Sequence, residues 1–312
     1  MAIRWGLCGT GKISHDFSVA MKTLSAEDHQ IAAIASQSSD SAKEFAKKPR
    51  IPKVYGSYEE LARDPDIDEL EHFKVGLLFL QAGKNVLCEK PFAMNSRQVS
   101  DLLKACWVDY FVPFQATWSR CFPVYAEVHK LLAEEAVGEV KLVKAYFGSP
   151  HSAGYCLQYL PTLLLMVFNS ERPESIQASG VLLDSVDESV VVVMKFSRKR
   201  MALCAFSIAA HFSNDAVISG TKGSIRGLGP MHCPSTLVLN DKKTEYPLPE
   251  PCLPLNFTNS TGLRYLMEEV RQCLLKGLKE RVRMPLADSI LLTEIMDEIR
   301  EQVGVVFSQD RK

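Results

Sequence analysis

Two short segments carry the residues best suited to chemistry. Gly9-Thr10-Gly11 stands between an apolar strand and a helix, and Lys90 nearly closes the run Ala82-Gly83-Lys84-Asn85-Val86-Leu87-Cys88-Glu89-Lys90-Pro91. A glycine turn in a strand–turn–helix setting lets backbone N–H groups approach a pyrophosphate at the helix N-terminus. Ser14 stands where a third small residue allows close helix–sheet packing. An ammonium at the end of a buried strand is partly desolvated, so Lys90 can titrate below the usual lysine range or orient a hydroxyl. Taken singly, these are an ordinary tight turn and an ordinary surface lysine. In this order, inside an alternating strand–helix pattern, they predict a dinucleotide site. Lys90, flanked by Glu89 and Pro91, would work beside the nicotinamide.

The end of the second strand bears on the choice of cofactor. A carboxylate there would hold the ribose hydroxyls. The chain instead reads Ser36-Gln37-Ser38-Ser39, and the first acid is Asp40. Hydroxyls and an amide tolerate a 2′-phosphate, so NADP is expected over NAD; a polar loop with no cofactor role is the alternative. His72, at the first turn of a helix, either meets a ligand or caps the helix. Trp118 and Arg120 either line a substrate cleft or pack the domain junction. Tyr155 can exchange a proton near a carbonyl, or simply fill a core. No His, Cys and carboxylate set has metal-ligand spacing, so no metal is expected.

These residues need elements to hold them. Residues 3–8 read as an apolar strand, and 13–24 carry Ile13, Phe17, Ala20, Met21 and Leu24 at helical spacing. A strand over 30–36, a helix over 41–48 and a helix capped by Ser57 with Glu60 three residues on continue a βαβα order. That order predicts a parallel sheet with right-handed crossovers. The next strand should fall within residues 64–72, where only Ile67 and Leu70 are apolar among acids; the pattern predicts that it is missing. A strand over 85–88 and a helix over 96–106 follow. From residue 140 the period becomes that of mostly antiparallel strands, with Gly220-Thr221-Lys222-Gly223 as a hairpin turn and edge material at 236–239 and 245–248. Helices are expected over 263–276 and 286–303. The fold class is α/β, with a helix–strand domain over 1–115 and a second domain over 116–312.

Composition narrows the partners. The 312 residues suffice for two domains, with 46% hydrophobic and 23% charged residues. Thirty-six Lys and Arg oppose 37 Asp and Glu, a net charge of −1 that disfavours nucleic acid and anionic membrane. Nine cysteines with no C-x-x-C pair, and no secretory signal, predict reduced thiols and a cytoplasmic protein.

Gly9-x-Gly11-x-Ile13, the 82–91 segment and Gly220-Thr221-Lys222-Gly223 resemble the glucose–fructose oxidoreductase/inositol dehydrogenase family. Tyr55-Gly56-Ser57-Tyr58-Glu59-Glu60-Leu61 and Val305-Val306-Phe307-Ser308-Gln309-Asp310 extend the likeness over nearly the whole chain. The resemblance implies an N-terminal Rossmann domain and an α+β C-terminal domain built on a large open, mostly antiparallel sheet. It also implies a homodimer packed through that sheet. The implied activity is NADP-dependent oxidation of trans-dihydrodiols of aromatic hydrocarbons to catechols and of D-xylose to its lactone. Lys90 corresponds to the family's lysine, His72 to its coenzyme-side histidine, and Tyr155 to its substrate-side tyrosine. Two departures stand out. Residues 68–71 are too few for the family's third strand and its Thr-x-His-Pro loop, and His151 occupies the spacing of its aspartate. The alternative function is therefore a dinucleotide-binding relative impaired in catalysis.

Overall fold

The computed structural model describes residues 2–67, 69–70, 73–109, 113–150 and 159–311. His72, His151 and Tyr155 lie outside the described residues. The chain forms two compact units. The first gathers Met1–Ala93, Ser100–Trp118 and Leu248–Leu286; the second gathers Met94–Val99, Ser119–Pro247 and Ala287–Lys312. A single cut near residue 115 does not describe this division, because Leu248–Leu286 returns to the first unit.

The first unit is a Rossmann fold. Its sheet holds β1 (Ile3–Cys8), β2 (His29–Ala35), β3 (Lys53–Tyr55), β4 (Glu69–Leu70), β5 (Asn85–Cys88) and β6 (Pro113–Gln115), in the order β3-β2-β1-β4-β5-β6. Every described pairing is parallel. Strands covered on both faces read as near-continuous apolar runs. Trp5, Leu7, Ile34 and Val86 are accordingly buried. Helices α1 (Lys12–Met21), α2 (Ser39–Lys47), α3 (Tyr58–Arg63), α4 (Phe73–Gln81) and α5 (Ser96–Asp109) alternate with the strands. Their starts follow local chemistry. Ser38 Oγ accepts the Ser41 N–H at 3.3 Å to cap α2, and Ser57 Oγ accepts the Glu60 N–H at 3.2 Å to cap α3.

The strand expected to be missing is present. Glu69 pairs with Trp5 on one side and Asn85 on the other, and Leu70 pairs with Val86, so β4 bridges the sheet with two residues. Of the acids that spoke against a strand, Glu69 lies in β4, and Asp64 and Asp66 stand before it in a turn neutralised by cations. Lys53 Nζ reaches both carboxylate oxygens of Asp64 at 3.0 Å and Asp66 at 2.7 Å, and Arg4 reaches Asp66 at 3.2 Å. Lys84 Nζ donates to the Asp64 carbonyl at 2.7 Å and the Ile67 carbonyl at 2.8 Å. The same lysine precedes β5, so it ties the approach to β4 to the start of the next strand.

The second unit carries α6 (Pro123–Ala133), β7 (Val140–Gly148), α7 (Tyr159–Val167), β8 (Ser175–Leu183), β9 (Val186–Phe196), β10 (Arg200–Ser207), β11 (Ala216–Gly220), β12 (Ser224–Leu228), β13 (Thr236–Leu239) and β14 (Lys242–Glu245). The last strand shares only Glu245 with the expected 245–248. The eight strands run in the order β14-β13-β12-β11-β7-β10-β9-β8. All pairings are antiparallel except β7 with β10. Alternation separates the faces. Val190, Val192, Met194 and Phe196 of β9 are buried, while Val191 and Lys195 are exposed.

The returning segment carries α8 (Leu263–Leu275), which packs on α1. Its docking is polar as well as apolar. Asp16 of α1, fully buried, accepts the backbone N–H groups of Asn256 and Phe257, both at 2.9 Å. His29 Nδ1 accepts the Trp5 indole N–H at 3.3 Å, which leaves Nε2–H for Glu268 of α8 at 3.1 Å. Burial holds this imidazole below the usual histidine range, with Glu268 opposing. The chain closes with α9 (Leu286–Val303) in the second unit. Among the described residues no helix is long and apolar enough to cross a membrane.

Lys84→Met keeps the aliphatic stem and removes both charge-assisted bonds. A hydrogen bond to a charged group is worth about 1.5–3 kcal/mol. Urea unfolding of the variant should show a loss of that order, with an unchanged denaturant slope.

Candidate active site

The parallel sheet brings the sequence candidates of the first unit to one edge. Gly9 follows β1, Ser36 follows β2, Glu89-Lys90-Pro91 follow β5, and Thr117-Trp118 follow β6. Strand order reverses between β1 and β4, and ligands of such sheets bind outside the carboxyl ends at that switch point.

The glycine turn fits an anion. Gly9 has φ +92°, a left-handed conformation that glycine adopts without strain. Gly11 is extended and caps α1 with no side-chain hydrogen bond, and the first turn of α1 carries no acid. A Cβ placed on Gly11 would meet nothing within 4 Å. The space beside Gly11 is thus open at the end of α1 that carries the positive end of the helix dipole. Ser14 is buried.

The β2 end presents no carboxylate. Ser36 Oγ accepts the Ser38 N–H at 3.4 Å, and Gln37 is exposed. Asp40 belongs to the first turn of α2, with Lys43 3.9 Å away.

Lys90 is half-buried, and its peptide bond to Pro91 is cis. Its backbone N–H donates to Glu89 Oε2 at 3.2 Å. Glu89, half-buried, lines a cavity of about 20 Å³ with Trp5, Leu7, Phe17, Leu87 and Leu266. Burial there pushes it up to about 7, and the neighbouring Lys90 charge pulls the other way. Trp118 is buried. Arg120, in the second unit, pairs with Asp288 at 2.6 Å and donates to the Thr162 carbonyl at 2.9 and 3.3 Å.

Three features escaped the sequence. Arg281, with its side chain fully buried, pairs with Glu269 at 2.7 Å and donates to the backbone carbonyls of Gln115 and Thr117 at the end of β6. Both amide atoms of Gln115 and the Thr117 hydroxyl are buried with no hydrogen-bond partner among the described residues. Orphaned polar groups at a ligand-binding edge suit a site that completes itself on binding. Asp16 alone gave a signal: it shares the helical face of Ile13, Phe17 and Ala20, where an acid has no business unless it is bonded.

The profile of an oxidoreductase family with an NAD-binding Rossmann fold, GFO/IDH/MocA, matches residues 3–107. Over 99% of its length the chain is 51% identical to a trans-1,2-dihydrobenzene-1,2-diol dehydrogenase of Danio rerio, covering 99% of that protein. The chain belongs to the GFO/IDH/MocA oxidoreductase family. It is a dehydrogenase. A Homo sapiens protein of the same name is 36% identical over the full length of both chains. The fold is also that of a levoglucosan dehydrogenase in complex with NADH and levoglucosan, with TM-score 0.83, 16% identity, and 97% and 98% of the two chains covered. A 3-ketoreductase from Actinomadura kijaniata in complex with NADP gives TM-score 0.79 at 19% identity, again over 97% and 98%. The Danio alignment spans 336 positions against the 312 residues of this chain, so the relative holds at least 24 residues that this dehydrogenase lacks.

The glycine turn, the uncapped α1 and the orphaned β6 end all fit the nicotinamide dinucleotide of this family. Gly11→Ala should test the fit. Because a Cβ there touches nothing, the folded protein should melt within about 1 °C of the parent. The methyl would occupy the space a phosphate needs, so cofactor affinity by calorimetry should fall by about tenfold or more, or about 1.4 kcal/mol.

Proposed function

We propose that this dehydrogenase oxidises trans-dihydrodiols of aromatic hydrocarbons to catechols, and D-xylose to its lactone, with NADP as cofactor. The observation that carries the reading is full-length identity of 51% to a relative named for the dihydrodiol reaction. Lys90 at the carboxyl edge of the sheet supports it. NADP is favoured because β2 ends in Ser36-Gln37 rather than in a carboxylate that would repel a 2′-phosphate.

When bound, NADP supplies the hydride acceptor. The Gly9–Gly11 turn and the α1 N–H groups hold its pyrophosphate, and Ser36 and Gln37 hold the ribose. His72 stands beside the coenzyme by its place in the family pattern. Lys90 is the proton-transfer residue. Its amine accepts the substrate's hydroxyl proton as hydride leaves the same carbon, and its charge offsets the oxyanion that begins to form. Tyr155, by its place in the family pattern, is the second group on that hydroxyl. Trp118 covers the substrate.

A homodimer completes this reading. On the second unit's sheet one face is buried, while the other exposes Val191 (49%), Met201 (38%) and Val181 (60%). Register places Val191 beside Ala205, and Ala205 beside Tyr146, in one row across β9, β10 and β7. An exposed apolar sheet face of this kind suits a second copy of the chain. Light scattering should report twice the 34.8 kDa chain mass, and Val191→Glu with Met201→Glu should return the monomer.

Turnover is the decisive measurement. Purified protein with NADP and either benzene dihydrodiol or D-xylose should generate the absorbance of reduced cofactor. Lys90→Met should lower kcat and kcat/KM together by about 100-fold or more, with a far smaller change in NADP affinity. Thermal stabilisation by NADP without turnover of either substrate would replace this reading with that of a non-catalytic cofactor-binding relative, which the residues absent from this chain would then explain.

A further inference from the structure

We propose that Asp310 and Arg300 are positioning residues for Lys90: they clamp the end of the chain onto the start of α5 and so fix the far end of the loop that carries the lysine; this rests on Lys90 as the proton-transfer residue of the function above.

The loop is short. Pro91, Phe92, Ala93 and Met94 join Lys90 to Asn95, and the chain passes from the first unit to the second within them. Pro91 has a fixed φ, and Phe92 and Ala93 are buried, so the loop has little slack. Asn95, also buried, opens α5: its Oδ1 accepts the Gln98 N–H at 3.0 Å, and its carbonyl accepts the Val99 N–H at 3.1 Å. Its Nδ2 donates to Asp310 Oδ1 at 2.8 Å. The next N–H, from Ser96, goes to Asp297 Oδ2 of α9 at 2.8 Å, and Arg97 donates to the Gln309 carbonyl. Asn95, Ser96 and Arg97 are thus all held by residues 201 to 215 positions further along the chain. These bonds account for Met94–Val99 folding with Ala287–Lys312 in the second unit.

Arg300 closes the clamp. Its buried guanidinium bonds Asp297 at 2.6 Å and Asp310 at 2.8 Å, and lies 4.1 Å from the centre of the Phe307 ring. A planar guanidinium that serves two carboxylates fixes the direction of both. Asp310 Oδ2 also accepts the Phe307 N–H at 2.9 Å, which folds the end of the chain back on itself. A cleft of about 360 Å³, lined by Asn95, Arg97, Arg300, Val306 and Asp310, opens beside these bonds, so the join is largely polar. Burial works against an ionised Asp310, but the bonds from Arg300 and Asn95 prevail and hold it down at about 2. The clamp therefore keeps its charge at neutral pH. Without Asp310, the Asn95 amide and the Arg300 guanidinium lose a shared anchor, and the loop behind Lys90 is released at its far end.

Asp310→Ala removes the acceptor that Asn95, Arg300 and Phe307 share. Assayed well below its melting temperature, the variant should lose about tenfold or more in kcat, because a displacement of about 1 Å that originates far from the chemistry can cost about 100-fold. NADP affinity by calorimetry should stay within about twofold of the parent, since the glycine turn is remote from the change. Asp310→Asn, which still offers an oxygen to Asn95, should recover part of the lost kcat. A clamp that only stabilises the fold would lower the melting temperature and leave kcat at the parent value, and that result overturns the proposal. Should Asp310→Ala not fold, Asn95→Asp takes its place: it keeps the oxygen that caps α5 and sets a carboxylate against Asp310. An unchanged kcat there overturns the proposal equally. Acylation by acetic anhydride, read by peptide mass in cofactor-free protein, reports on Lys90 without turnover. In Asp310→Ala its rate should change by about twofold or more relative to Lys242, exposed on β14. Changed Lys90 reactivity, where the parent turns over neither diol nor sugar, keeps the positioning and removes the proposed function. Unchanged reactivity with normal turnover does the reverse.

Discussion

Continuity of the parallel sheet across β4 is the constraint on which the candidate site depends. The glycine turn follows β1 and the lysine follows β5, and these strands are not neighbours. They share one edge in one register only because Glu69 and Leu70 join them. Two residues form few ladder bonds, and a central strand that failed would leave backbone groups of β1 and β5 without partners. The shortness is offset outside the strand, where Lys84 and Lys53 secure the turn that precedes it.

Among the described residues of the first unit, several buried polar groups pair with partners that stitch distant segments together. Asp16 takes the N–H groups of the Asn256 turn, Arg281 takes Glu269 and the carbonyls ending β6, and the neutral His29 sits between Trp5 and Glu268. These contacts explain why Leu248–Leu286 folds with the first unit although it follows the strands of the second. Removing one partner of such a pair costs more than the pair contributes, because the remaining charge stays buried. Glu89 departs from this pattern. It lines a cavity with apolar residues and accepts the backbone N–H of Lys90. Groups whose titration is displaced toward neutrality belong to sites more often than to scaffolds.

The second unit solves a different problem. Its sheet buries one face and leaves the other, with Val181, Val191 and Met201, in solvent. Strand alternation makes this unavoidable: a one-residue shift would exchange Val190, Val192 and Met194 for their exposed neighbours. The exposed row is thus fixed by the same register that builds the core.

The sequence determined what is local. Strand ends at Cys8 and Cys88, the capping serine at 57, the hairpin at residues 220–223 and the turn of period near residue 140 depend on neighbours a few positions away, and they could be read directly. So could the placement of the glycine turn and Lys90 on one sheet edge, since βαβ order puts strand ends there. Tertiary structure decided what joins remote residues. The acids at 64 and 66 argued against a strand until Lys53, Arg4 and Lys84, up to 62 positions distant, were seen to neutralise the turn. The alliance of Leu248–Leu286 with the first unit, and the packing of Arg120 on Asp288 at 168 positions' separation, left no periodic trace either. Periodicity reports only which face of an element is apolar; it says nothing about which distant charge will meet which, and that meeting is settled by desolvation and hydrogen bonding once the chain has closed on itself.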